Sequence, residues 1–456
     1  MPGYANWKQL YQEEYFQMKE EGFDLTGIPA PEDVQVQLPM PVNPGEQTLE
    51  NEAEWEKAYG ALWARYDAGV SPAYPYEEPN ELTKIFMAAA PVPDLGEPVR
   101  GEEYRRRVAG AFGGRCAAVV LGKPLEMGMN REEIESYLRS VDAYPLNDFV
   151  PARSEKLGKT LREDCIPSTQ GNVRFVQADD DIHYTLLALQ LAESKGADFR
   201  PEDVGWNWLE NVPYHWFWCA SRQAYYHMVN LTDAEERTAQ IARIPTCLNP
   251  WRECIDGQIR GDLWGYIQPG KPRRAAELAH RECSFSLVKN GCYGGMFVAG
   301  CLAAALTEKP TVERILAGGL SVIPARSRLA EAIRQVIRWY DEENDWICVC
   351  RRIEENFGYL PFAATINNLS MVTLALLEGQ LDYTRTITTA VMCGIDTDCN
   401  AGTAGSIVGA AVGLEGVESR WLEPLNNTIR SGVACFGTCA ISDITGRICA
   451  LGEKKL

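Results

Sequence analysis

"GIDTDCNAGTAGSIVGAAVG" (residues 394–413) sets two carboxylates, Asp396 and Asp398, directly against a run of small residues. Gly and Ala in such density let another backbone approach closely, so the run reads as a buried helix. A carboxylate at the mouth of a buried helix is costly unless something neutralises it. The pair therefore either caps the helix or holds a cation. In an extended segment residues i and i+2 point to one side, which aims Asp396 and Asp398 at a single point. Hard oxygen ligands without paired histidines suit Mg²⁺, Mn²⁺ or Ca²⁺ rather than Zn²⁺.

Two further stretches share this character. "ADDDIHYTLLAL" (178–189) places Asp179, Asp180 and Asp181 in a row before an apolar helical run. One acid there would cap the helix and suit its dipole. Three in a row repel one another unless a cation binds. "GAFGGRCAAVVLGKPLE" (110–126) is a second small-residue helix, closed by a Gly-x-Pro loop that ends in Glu126. Glu126 is either a surface acid or an acid held over a site.

Elsewhere helical spacing dominates, as in "SRLAEAIRQVIRWYDEEN" (327–344) and "NNLSMVTLALLEGQ" (367–380), and sustained alternation is hard to find. The pattern predicts an all-α fold of many helices. Residues 1–100 differ: two amphipathic stretches, 7–22 and 47–69, flank the proline-bearing segment 27–46, and "APVPDLGEPV" (90–99) precedes the change. An N-terminal helical extension over 1–100 and a main domain over 101–456 are expected.

Acidic residues outnumber basic ones, 63 to 44, for a net charge of −19. Such a balance disfavours nucleic acid and anionic membranes as partners. The start of the chain lacks a basic segment followed by an apolar one. The most apolar stretches, 291–306 and 401–413, fall short of the roughly 18 residues a membrane span needs. Fifteen cysteines are scattered through apolar helical runs. They read as reduced core thiols of a cytoplasmic protein, and neither Cys348/Cys350 nor Cys435/Cys439 has zinc-site spacing.

Taken in order, "GKPLE", "DDDIHYT" and "DTDCNAG" resemble the motifs of the ADP-ribosylglycohydrolase superfamily, of the dinitrogenase-reductase-activating glycohydrolase type. The resemblance runs over most of 103–450 and is nearest to a bacterial branch with an N-terminal helical extension. It implies a hydrolase with a binuclear site, taking two Mg²⁺ or alternatively Mn²⁺. Asp180 and Asp181 match the family's paired aspartates, Asp179 stands where a metal-binding Thr is usual, and Asp396 and Asp398 match the late pair. Cys399 occupies the place of a further Ser or Thr ligand, although sulfur is a poor ligand for Mg²⁺. Glu126 matches the loop glutamate that contacts metal or positions water, and Glu126 and Asp181 are the catalytic candidates.

A ribosylated small molecule or an ADP-ribosylated protein is the implied substrate. A nucleotide-like substrate needs phosphate donors and a pocket wall. Arg252 in "NPWRE" and Asn290, Gly291 and Tyr293 in "KNGCYGG" are candidates, and His183 stands where the family often has Gln. Each has a structural alternative: Arg252 and Arg260 can pair with Glu253, Asp256 or Asp262, and the glycines can serve helix packing. Two other functions stay open on the same fold: hydrolysis of nucleosides or another small N-glycoside, and a non-catalytic ligand-binding or structural role.

Overall fold

A computed structural model describes residues 5–31, 52–127, 129–231 and 236–454. From residue 32 onward, the proline-bearing connection expected at 27–46 falls outside these. The fold is all-α, with two small two-stranded antiparallel ribbons beside the helices. One pairs Arg153 with Thr160 and Ser154 with Lys159; the other pairs Thr428 with Ala440, Ile429 with Cys439 and Arg430 with Thr438. The helices that organise the molecule are α1 (Trp7–Glu20), α2 (Glu52–Trp63), α3 (Gly101–Gly122), α4 (Asp180–Lys195), α5 (Cys219–Val229) and α6 (Lys289–Ala305), then α7 (Arg328–Glu343), α8 (Thr365–Gly379), α9 (Tyr383–Met392), α10 (Thr397–Val412) and α11 (Ile441–Glu453).

The small-residue stretch 394–413 is α10, and every residue from Thr397 to Ala411 is buried. It runs along α3 with the two backbones nearly touching. A Cβ built on Gly114 would stand 2.8 Å from the Gly405 carbonyl oxygen, and one on Gly110 would stand 2.6 Å from that of Gly409. Real Cβ atoms do not come so near, so the alternating glycines of the two helices are what permits this crossing. Tyr383 at the start of α9 locks the pair, its hydroxyl donating to the Gly114 carbonyl at 2.6 Å. The other apolar stretch lies in α6, likewise buried along its whole length. Among the described residues no helix is long and apolar enough to cross a membrane.

The N-terminal helices share the main hydrophobic core. α1 is also tied down by buried charges: Arg252 Nη1 meets Glu14 at 2.8 Å, Arg252 Nε meets Glu21 at 2.6 Å, and Lys289 Nζ reaches Glu21 at 2.6 Å. Gln17 donates to Glu253 at 2.7 Å. This corrects the expectation for Arg252, whose guanidinium lies fully buried between two glutamates of α1 and is closed to a substrate phosphate. Arg260 is paired as well, but with Glu282 at 3.0 Å rather than with the acids nearest it in sequence.

Candidate metal and active site

Three chain segments converge at one end of the α3–α10 pair. α3 ends at Gly122, whose carbonyl accepts the Thr397 hydroxyl at 2.8 Å, fixing the start of α10 against it. The 3₁₀ turn Lys123–Leu125, with Pro124 inside, then swings the chain so that Glu126 follows at once. α4 supplies the second segment. Asp179 is its N-cap, with Oδ1 accepting from the Asp181 amide at 3.1 Å, and Asp180 and Asp181 occupy the first turn. The third segment is Gly394–Asp398. Gly394 and Ile395 both take positive φ, 79° and 59°. For a β-branched residue such as Ile395 this is a strained conformation, of the kind retained where the surroundings dictate it.

The expected extended geometry of 396–398 is not what joins these acids. Asp396 is the N-cap, at φ −83° and ψ 84°, and Asp398 already lies in the first turn of α10. They converge because a tight turn enters the helix there. The N-termini of α4 and α10 thus both face the site, and their dipoles favour negative charge.

The carboxyl groups gather in overlapping sets. Ligand oxygens of Glu126, Asp396 and Asp398 lie within 4.8 Å of one another, as do those of Asp179, Asp180 and Asp181. Asp181, Asp398 and the Cys399 sulfur form a set of the same span that links the two helix starts. Asp179, Asp181, Asp396 and Asp398 are buried, Asp180 and Glu126 partly so. Among the described residues, the counter-charges that reach these six acids within ion-pair distance come from Lys123 on Asp179, Arg115 on Asp181 and Arg162, 3.7 Å from Glu126. Arg115 is moreover shared, meeting Asp262 at 3.1 Å.

The electrostatic result is an acid cluster short of positive charge. Burial, then the neighbouring Asp398, push the carboxyls of Glu126 and Asp396 well above the usual carboxylate range. Burial, then Asp179 and Asp181, do the same to Asp180. Burial raises Asp181 to about 8, against the pull of Arg115. The Oδ1 of Asp396 is buried without a hydrogen-bond partner. Orphaned buried oxygens are rare and call for an explanation. A carboxylate-rich site with excess negative charge and an orphan oxygen fits a hard divalent cation.

Cys399 acts here as a donor. Its Sγ lies 3.0 Å from Asp181 Oδ2, while the opposite oxygen, Oδ1, accepts from Arg115 Nη2 at 2.9 Å. Burial and the neighbouring aspartates hold the thiol well above its ordinary pKa, so it keeps its proton. Partners that orient a ligand carboxylate contribute about 10–100-fold to metal affinity. Cys399→Ala is accordingly expected to weaken Mg²⁺ binding by about tenfold, whereas Cys399→Ser, which keeps the donor, leaves it within a few-fold; calorimetric titration reads both.

Beside the acids opens a cleft of about 450 Å³, lined by Glu126, Met129, Arg131, Phe362, Asn367 and Ile395 among others. Glu126 alone of the clustered acids lines it. The substrate-binding candidates lie elsewhere. Asn290 donates to Glu253 and to Glu78, both at 2.8 Å, and Tyr293 is buried with its hydroxyl donating to the Pro79 carbonyl at 2.5 Å. A Cβ on Gly291 would stand 2.6 Å from the Arg252 carbonyl oxygen, so this glycine serves backbone packing. These three are corrected, with Arg252, to structural residues. His183 sits one turn into α4, its Nε2 accepting from the Gly432 amide at 2.8 Å and its ring edge-on to Trp216. Burial holds it down at about 4, hence neutral, and it does not line the cleft. Sequence reasoning missed Arg115 and Lys123. The signal for Arg115 was a single charge within "GAFGGRCAAVV", since a charge on a buried helix must have a partner.

The sequence model of the ADP-ribosylglycohydrolase family matches residues 100–453. Among solved structures, a chain from an "ADP-ribosylglycohydrolase-related protein complex" superposes with a TM-score of 0.50 at 17% identity, covering 78% of this chain and 100% of that one. At that identity the likeness speaks for the fold alone. No curated protein matches the chain.

Proposed function

The chain belongs to the ADP-ribosylglycohydrolase family and is thereby a hydrolase of glycosidic bonds; from that premise we propose that it is a metal-dependent enzyme that releases ADP-ribose, or a related ribosyl group, from an N- or O-linked substrate. The observation that carries the reading is the buried acid cluster with its orphan Asp396 oxygen, opening through Glu126 onto the cleft.

In this reading Asp179, Asp180, Asp181, Asp396 and Asp398 hold two Mg²⁺ ions, with Mn²⁺ as an alternative. Bound there, the cations would neutralise the cluster and make a bound water more acidic. The remaining work falls to this chain's own side chains. Cleavage passes through an oxocarbenium-like state at the anomeric carbon, so the ribose must be held rigidly and a water aimed at it. Glu126 stands between cluster and cleft. At that place its carboxylate would accept a proton from that water and return it to the leaving group. Arg115 and Cys399 fix Asp181 from either side, and Lys123 fixes Asp179. In the cleft, Phe362 offers an apolar wall for a base, and Arg131 and Asn367 offer polar contacts.

Residues 1–100 act as an extension that braces the body through the buried Glu14–Arg252–Glu21 contact. Location in the cytoplasm is part of the same reading.

A panel of ADP-ribosylated peptide, O-acetyl-ADP-ribose and free nucleosides, each with Mg²⁺ and with chelator, tests the substrate class. Release of ADP-ribose, abolished by chelator, is the expected result. Release of base from nucleosides with inert ADP-ribose conjugates would instead establish a nucleoside hydrolase on this fold.

A further inference from the structure

A second group of metal-ligating side chains lies apart from the acid cluster. Cys219 begins α5, Cys254 ends the loop that follows Trp251, and Asp256 lies in the first turn of the 3₁₀ segment Ile255–Arg260. All three are buried, and two sulfurs and a carboxylate oxygen lie within 4.8 Å of one another. The Cys254 thiol donates to Asp256 Oδ1 at 3.0 Å. Asp256 Oδ2 is held by the Ser221 amide at 2.9 Å and hydroxyl at 2.5 Å. Fixing one carboxylate oxygen in this way orients the other, as partners of metal ligands do.

The surroundings leave both a charge and a space for a cation. Among the described residues, no Lys or Arg forms an ion pair with the buried Asp256 carboxylate. The two thiols also line a cavity of about 50 Å³ beneath α1, together with Glu13. Glu13 is only 5% exposed and accepts from Gln9 Nε2 at 2.9 Å. The space suffices for an ion and a completing water.

We propose that Cys219, Cys254 and Asp256 bind a borderline-soft divalent cation, Zn²⁺ by its chemistry, at a site distinct from the acid cluster. Two sulfurs and one carboxylate are a soft donor set that Mg²⁺ avoids and Zn²⁺ accepts. A tetrahedral ion with Zn–S near 2.3 Å places its ligand atoms roughly 3.5–4 Å apart, so the three atoms close onto it by about 1 Å or less. On binding, each thiol releases its proton to solvent as its sulfur donates a lone pair to the cation, and no electron is transferred. The fourth position faces the cavity and takes water. The ion ties the start of α5 to the 254–256 segment, and through Asp256 and Ser221 holds both in register.

The test is a Cd²⁺ titration of the full-length, reduced, metal-stripped chain in excess Mg²⁺, followed by the thiolate-to-cadmium charge-transfer absorption, to which oxygen ligands are silent. A band that saturates at one Cd²⁺ per chain is expected. It should weaken by at least about tenfold in Cys219→Ser and in Cys254→Ser, and persist in Cys435→Ser, which removes an exposed thiol. Absence of a saturable band, or a band unchanged in both of the first two variants, overturns the proposal. X-ray absorption on the zinc-loaded wild-type chain in excess Mg²⁺ gives a reading independent of whether variants fold. Two sulfur neighbours near 2.3 Å support the site, and oxygen or nitrogen neighbours alone overturn it.

Discussion

Glu126→Gln is expected to lower the turnover of an ADP-ribosylated substrate by about 10²–10⁴-fold, the usual contribution of a positioned acid–base group. Fold and Mg²⁺ affinity should be nearly preserved. Glutamine fills the same volume and still forms hydrogen bonds, but it takes up no proton. The expectation rests on position: Glu126 keeps 24% of its side chain exposed, while Asp179 and Asp181 beside it are all but sealed. Among the clustered acids it alone reaches the cleft. Single-turnover rates in saturating Mg²⁺ read the chemical step directly. A fall in kcat with little change in KM is predicted; a change of less than about fivefold would remove Glu126 from the chemistry.

Arg115→Met should destabilise the chain by about 3–5 kcal/mol, the range found when one partner of a buried ion pair is removed. Arg115 is fully buried on α3 and serves two carboxylates, Asp181 at 2.9 Å and Asp262 at 3.1 Å. It also donates from Nε and Nη2 to the Asp181 carbonyl at 2.9 and 2.8 Å. Asp262 in turn accepts from Tyr266 at 3.0 Å and from Ser406 of α10. Removing the guanidinium therefore leaves two buried acids and a backbone carbonyl short of a partner, at the point where α3, α4 and α10 meet. Arg115→Lys keeps the charge but loses the fork geometry, so it should fall between the two. Urea unfolding with Mg²⁺ and with chelator reads both variants. Because a bound cation stabilises only the folded state, by about 2.7 kcal/mol at 100 times Kd, the wild-type chain should gain stability from Mg²⁺ and lose it with chelator. Wild-type stability in Arg115→Met would contradict this account.

The helices and the acids were legible in the sequence, but the reach of the long side chains was not. Small residues at 110–122 and 397–412 announced a close helix pair because steric exclusion is local to the backbone and leaves its mark residue by residue. The acid runs were equally plain, since buried negative charge is too costly to occur without purpose. Arg252 looked like a phosphate donor because it stands beside Trp251 in "NPWRE". Its actual partners, Glu14 and Glu21, sit more than two hundred residues earlier, on a helix whose docking no local pattern encodes. Asn290 and Tyr293 misled for the same reason, their partners being Glu78 and Pro79. The cleft was missed because Met129, Phe362 and Ile395 are ordinary core-type residues that meet only in three dimensions. The convergence of Asp396 and Asp398 was anticipated, but through an extended segment rather than the Gly394–Ile395 turn that produces it.

The central claim is that the aspartates at the starts of α4 and α10 form a binding site for hard divalent cations, with Glu126 beside it. A calorimetric titration of Mg²⁺ into the full chain and into Asp398→Asn, both confirmed folded by circular dichroism, tests it most directly. Saturable binding by the wild-type chain, lost or severely weakened in Asp398→Asn, is the result this account predicts. Either no binding by the wild-type chain or undiminished binding by the variant would contradict it.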